Sequence, residues 1–105
     1  MPTNDELYNE AEKLKDGGDL EGAATKLNEL LAQDAQYALA HSALAVIYGR
    51  MGRHAEAVEH AMKVCELQPN DAFSFTALSV TCQRAGRIME AEDAMARARM
   101  MHGRM

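Results

Sequence analysis

Cysteine is scarce in this chain, and the little there is carries no metal or redox signature. Cys65 and Cys82 stand singly in apolar stretches without CxxC spacing, which argues against a zinc site or a redox dithiol. Both read as reduced thiols packed as small hydrophobes. No apolar run approaches the roughly 20 residues that a membrane helix needs. The opening Met1-Pro2-Thr3-Asn4-Asp5-Glu6 lacks the basic and apolar blocks of a secretory leader, so the sequence predicts a cytoplasmic protein. Positive charge is in short supply: 11 Lys and Arg face 16 Asp and Glu, for a net charge of -5. Nucleic-acid binding needs a basic stripe that displaces counterions, and this balance argues against it. Catalytic motifs are missing as well. His41, His54, His60 and His102 show no HExxH or other short ligand spacing. Ser42, Ser74 and Ser79 lie in helical stretches without a nucleophile elbow, and no glycine loop is built to cradle phosphate. The chain is therefore expected to be no enzyme and to need neither metal nor cofactor.

What is present is a period. Gly18, Gly52 and Gly86 fall 34 residues apart, and Ala23, Ala57 and Ala91 repeat the same step. A turn glycine and a small residue returning in one register describe a helix-turn-helix unit used three times. Aligned on that step, the chain gives apolar or small columns: Leu7, His41, Phe75; Ala11, Ala45, Ser79; Leu14, Tyr48, Cys82; Leu27, Ala61, Met95; Leu30, Val64, Ala98. Their spacings of three and four put each set on one helical face, as in amphipathic helices packed on a core. His41, standing in such a column, reads as a packed histidine. The pattern predicts an all-α fold with helices near 4–16, 20–33, 38–51, 54–67, 72–85 and 88–101, in a single domain spanning 1–105.

Local chemistry marks the boundaries. Thr3 with Glu6 forms a capping-box signature, and Asp5 and Glu6 place negative charge at the first helix's positive end. Asp16-Gly17-Gly18-Asp19, Met51-Gly52-Arg53 and Ala85-Gly86-Arg87 end the first helix of each unit, where glycine takes the left-handed conformation. Gln68-Pro69-Asn70-Asp71 stops the fourth helix, because proline disfavours helix in the residue before it and Asn or Asp can cap the fifth helix. Low-complexity segments and linkers are absent.

With these residues aligned, the chain resembles the tetratricopeptide repeat (TPR) family, with repeats near 4–37, 38–71 and 72–105. The second repeat fits best, with Leu44-Ala45, Tyr48, Gly52, Ala57, Ala61, Val64 and Pro69, and His41 where an aromatic is usual. The third supplies Phe75, Leu78-Ser79, Cys82, Gly86, Ala91, Met95 and Ala98, with Gly103 in place of proline. The first is the most degenerate, with Glu10 at the usual leucine and Ala35 at the usual proline. The resemblance implies a right-handed α-solenoid of three hairpins, six antiparallel helices in all, acting as a scaffold or adaptor that binds a protein, peptide or helix in a concave groove.

In that architecture the first helix of each hairpin would line the groove. The expected lining is Asp5, Tyr8, Glu12 and Asp16 from repeat one, Leu39, Ser42, Val46 and Arg50 from repeat two, and Phe73, Thr76, Val80 and Arg84 from repeat three. Tyr8 and Phe73 are the strongest anchor candidates, since rigid aromatics bury much area at low entropic cost. Leu39 and Val46 could instead fill gaps between neighbouring helices, and Arg50 and Arg84 could simply offset the negative helix ends. The chaperone-binding TPR subfamily grips a C-terminal carboxylate with Lys, Asn, Asn, Lys and Arg. Here those positions hold Tyr8, Glu12, Ala43, Phe73 and Ala77, so a carboxylate-clamp role is not expected.

Charge and methionine are unevenly spread. Residues 1–36 carry nine acids against three lysines, whereas 71–105 carry four acids against five arginines. Met89, Met95, Met100, Met101 and Met105 gather in the last helix and tail. They suit either adaptable docking on a partner or another copy, or a cap in which Met95 turns inward while Glu92, Asp93, Arg97 and Arg99 face water. Self-assembly through the terminal helices is thus the alternative function.

Overall fold

The structure, a computed structural model, describes residues 1–103. Its elements are α1 (Asn4–Asp16), α2 (Leu20–Gln33), α3 (Ala38–Arg50), α4 (His54–Leu67), α5 (Ala72–Arg84) and α6 (Ile88–His102). The predicted ends agree within one residue. Met51 and Ala85 close α3 and α5 as C-caps, and α6 runs one residue further than expected.

The three hairpin turns are built alike. Gly18, Gly52 and Gly86 take φ of 91°, 78° and 78°, the left-handed region where any side chain would be strained. In each turn two backbone bonds reach back over the helix end. Arg53 N–H donates to the Tyr48 carbonyl at 2.8 Å and Gly52 N–H to Gly49 at 3.1 Å. The Asp19/Leu14 and Arg87/Cys82 bonds repeat the longer reach at 2.8 Å, so orphan carbonyls are satisfied three times by one device. The residue after each glycine then opens the next helix. Asp19 accepts from Gly22 N–H at 2.9 Å, whereas Arg53 and Arg87 turn to Glu56 and Glu90 three residues on. At the chain start the expected capping box forms: Glu6 N–H donates to Thr3 Oγ1 at 3.1 Å, and Thr3 N–H to Glu6 Oε1 at 3.2 Å. Asp71 caps α5 through Phe73 N–H at 3.0 Å.

Helices pack in sequence order, α1 on α2, α3 on α4 and α5 on α6 within hairpins, with α2 on α3 and α4 on α5 joining them. The body is elongated, 43 × 27 × 20 Å, as a stack of hairpins should be. Leu7, Ala11, Leu27, Leu30, Leu44, Ile47 and Ala57 belong to one buried cluster spanning the first two repeats. Smaller clusters, Val58 with Cys82 and Ala91, and Cys65 with Phe75 and Ala98, continue the core through the third. Of the expected core columns, Leu14, Ala45 and Met95 are only half-buried; the rest are buried. Ser79, at zero exposure, is accommodated because its hydroxyl donates to the Ala91 carbonyl at 2.8 Å.

Candidate binding groove

The alternation of first and second helices gives the stack two unlike sides. α3 touches α5 directly, whereas between the second helices α4 and α6 an open cleft of about 570 Å³ remains, lined by Met62, Phe75, Arg97, Met100 and Met101 among others. At this joint the first helices, α3 and α5, therefore lie on the inner side of the bend. On that side the cores of α3 and α5 are complete without four large apolar residues. Leu39 is 57 % exposed, Val46 49 %, Phe73 77 % and Val80 39 %. They recur at the same two register positions on the two helices, Leu39 with Phe73 and Val46 with Val80. Arg50 and Arg84 lie exposed in the last turns of α3 and α5.

Repeat one differs. Tyr8 is half-buried, its ring 6.2 Å from that of Tyr37 in a tilted pair, while Tyr37 Oη donates to Asp5 Oδ1 at 3.3 Å. Glu12 is held by Lys15 at 3.1 Å. Burial, then the Glu12 carboxylate, push the Tyr8 hydroxyl above its ordinary pKa, so it remains a neutral donor near neutral pH. Tyr8 already has an aromatic partner, and Phe73 is the ring left uncovered.

The joint between repeats one and two contains an arrangement that the sequence did not disclose. His41 Nε2 lies 2.9 Å from the Ala35 carbonyl, and its Nδ1 lies 2.9 Å from His60 Nδ1. A carbonyl only accepts, so His41 carries its proton on Nε2 and its Nδ1 receives the His60 Nδ1–H. The His60 ring is stacked on Tyr48, centroids 5.6 Å apart. Burial first, and then His41, hold His60 below its ordinary pKa, against the opposing pull of Glu59 and Glu56. The unfolded chain thus takes up the proton more readily than the folded one. Unfolding free energy should decline as pH falls through about 6.5, the unfolded histidine value, and level off below the folded one. Urea titrations across pH 5 to 8 test this, with His41→Phe expected to flatten the slope in part, because the contribution of His41 is removed while burial, the larger cause, remains. An unchanged slope would defeat the assignment.

The cysteines are buried free thiols. Cys65 donates to the Ser74 carbonyl at 3.4 Å, and burial pushes it up to about 11, so it is a poor nucleophile. Cys82 is raised by burial too. Among the described residues no group of three or more His, Cys, Asp or Glu is placed to hold a metal ion. No helix among them is long and apolar enough to cross a membrane.

Of the methionine-rich end, Met105 lies outside the described residues. Met95 and Met101 are half-buried, while Met89 and Met100 are exposed. Arg97 covers the Phe75 ring at 5.4 Å, and Glu92, Asp93 and Arg99 face water. One repeat earlier, the positions of Glu92 and Arg99 are Val58 and Cys65, both buried. A further hairpin stacked on α6 would bury a carboxylate and a guanidinium at those places, which is costly unless they are paired.

Comparison with known proteins agrees with this architecture. Residues 11–52 match the family model for the TPR repeat and residues 38–71 the one for the tetratricopeptide repeat. No curated protein matches the chain in sequence. Among solved structures, the crystal structure of MamA superposes with a TM-score of 0.88 at 20% identity, covering 97% of this chain and 60% of that one. The second TPR of Spaghetti (RPAP3), bound to the HSP90 peptide SRMEEVD, gives 0.83 at 16% identity, covering 94% and 92%. YrrB, described as a TPR protein with an unusual peptide-binding site, gives 0.84 at 19%, covering 96% and 52%. The chain thus spans somewhat over half the length of MamA and YrrB, and at these identities the likeness establishes the fold alone. Two matched repeats, a third hairpin of the same build and left-handed glycines at each turn make this chain a member of the tetratricopeptide repeat family, folded as a three-hairpin α-solenoid.

Proposed function

We propose that the domain is a protein-interaction module that holds a peptide or helix against α1, α3 and α5 and performs no chemistry of its own. The carrying observation is the exposure of Leu39, Val46, Phe73 and Val80 on helices whose cores do not need them. Leaving such side chains in water forgoes part of the roughly 1.5–3 kcal/mol that full burial of each is worth, most of all for Phe73, and a partner would recover some of it. Two of the structural neighbours are described with bound peptide or a peptide site, which supports a binding role for the fold. The HSP90 peptide is not transferred with it. Tyr8, Glu12, Ala43, Phe73 and Ala77 offer no cation at the clamp positions, and Glu12 would repel a terminal carboxylate. We place the protein in the cytoplasm, where unpaired thiols such as Cys65 and Cys82 persist.

The test starts from affinity capture in the native host followed by mass spectrometry. Phe73→Ala should weaken the captured partner's binding about tenfold or more, with helicity and melting unchanged, as expected for an anchor ring. Tyr8→Ala should do less, since that ring already packs on Tyr37. Undiminished binding by Phe73→Ala would remove the groove from consideration. Self-assembly through α6 is the second reading, favoured by the exposed Ile88, Met89 and Met100. Light scattering behind size exclusion at several concentrations separates the two, and a strict monomer ends the self-assembly reading.

A further inference from the structure

The three inner helices carry opposite charge in a fixed order. α1 holds Asp5, Glu6, Glu10, Glu12 and Asp16 against Lys13 and Lys15. α3 and α5 contain no carboxylate, and each has one cation, Arg50 or Arg84, in its last turn. The two arginines occupy the same register position, in the last turns of α3 and α5, two helices that touch. Neither has an ion-pair partner among the described residues, whereas Arg53 and Arg87, opening the second helices, are both held by a glutamate three residues on. Each arginine is one helical turn beyond an exposed valine, Val46 or Val80.

We propose that the segment held in the groove is dipolar and amphipathic: bulky apolar residues over α3 and α5, carboxylates beside Arg50 and Arg84, and lysines or arginines over α1. The inference rests on the groove reading above and adds the chemistry of its occupant. Charge complementarity of this kind selects orientation as well as partner. A segment laid the other way would set its basic end against two unpaired guanidinium groups and its acidic end against α1, and like charges brought together at an interface are penalised. A purely acidic or purely basic segment would satisfy one side and be repelled by the other.

The experiment is a display selection of random peptides of about 15 residues, the length that spans three adjacent helices in helical form. It is run on the wild-type chain and on R50E/R84E. Wild-type winners should combine large apolar residues with acidic residues toward one end and basic residues toward the other. A synthesised winner should lose about tenfold in affinity to R50E/R84E, and should bind more weakly as salt rises. The reversed variant should enrich peptides that lack the acidic end. R50Q/R84Q, expected to show a smaller loss, serves if the charge reversal disturbs folding. Winners without carboxylates, or winners indifferent to both variants, overturn the charge assignment. If Phe73→Ala still weakens those winners, the groove reading stands without it. Winners indifferent to Phe73→Ala, or no enrichment at all, overturn both.

Discussion

Leu44→Ala is expected to lower the unfolding free energy by about 2–5 kcal/mol, the range for removing a large side chain from a core that cannot collapse around the gap. Leu44 is at zero exposure, in the middle hairpin, and belongs to the cluster that unites the first two repeats. Native stability of small domains is itself only about 5–15 kcal/mol. A cavity here should therefore remove a large share of the domain's stability. The position also tests how the array unfolds. Repeats contact only their neighbours, so weakening the central one separates the two outer hairpins. Urea denaturation followed by circular dichroism should show an earlier midpoint and a broader transition for Leu44→Ala. A loss of less than about 1 kcal/mol would mean that the core is looser than the burial indicates.

Ala57→Leu should also be costly, for the opposite reason. Ala57 is fully buried in the same cluster and shares its register with Ala23 and Ala91, both essentially without exposure. The helices of each hairpin approach closely at this small residue. Adding three carbons to a filled interior forces side chains off their rotamers or the helices apart, typically at about 1–3 kcal/mol. In this protein the effect should reach function, because α3 carries Leu39 and Val46 and moves if α4 is pushed away. Melting temperature and peptide affinity should fall together. Ala55→Leu, at an exposed site two residues earlier on the same helix, should change neither. Equal stability of the two leucine variants would contradict close packing at Ala57.

Much of this molecule was legible in its residues because the decisive signals are local. A glycine at positive φ, the capping box of Thr3 and Glu6, and Pro69 after α4 each act within a few residues, so the ends of six helices could be read to within one position. The apolar columns were legible for a related reason: a 34-residue repeat reuses one set of contacts, and comparing repeats isolates the positions that stay apolar. The third repeat departs from the family pattern where Ser79, Cys82 and Gly103 stand at positions usually held by glycine, tyrosine and proline. Its fold is nonetheless the same. The Ser79 hydroxyl finds a carbonyl, and Cys82 is small enough to sit with Val58 and Ala91.

Contacts that join different register positions were not legible. His41 and His60 are 19 residues apart, a separation that matches neither the repeat nor a ligand motif. Asp5 and Tyr37 meet across 32 residues, and that contact is what helps hold Tyr37 against Tyr8. Such pairs depend on how one hairpin rotates against the next, which no periodicity encodes.

The residue order alone therefore determined the repeat, its helices and turns, the greater part of its core and the sign of charge along its inner helices. Those features come from backbone conformation and from a hydrophobic pattern repeated in register. The tertiary structure decided which apolar residues stay in water: it covered Tyr8 with Tyr37, left Phe73 open, and filled one joint with a histidine pair while leaving a cleft at the other. Exposure is a property of how surfaces meet, and chemically similar side chains come out differently according to the neighbour that packing brings to them.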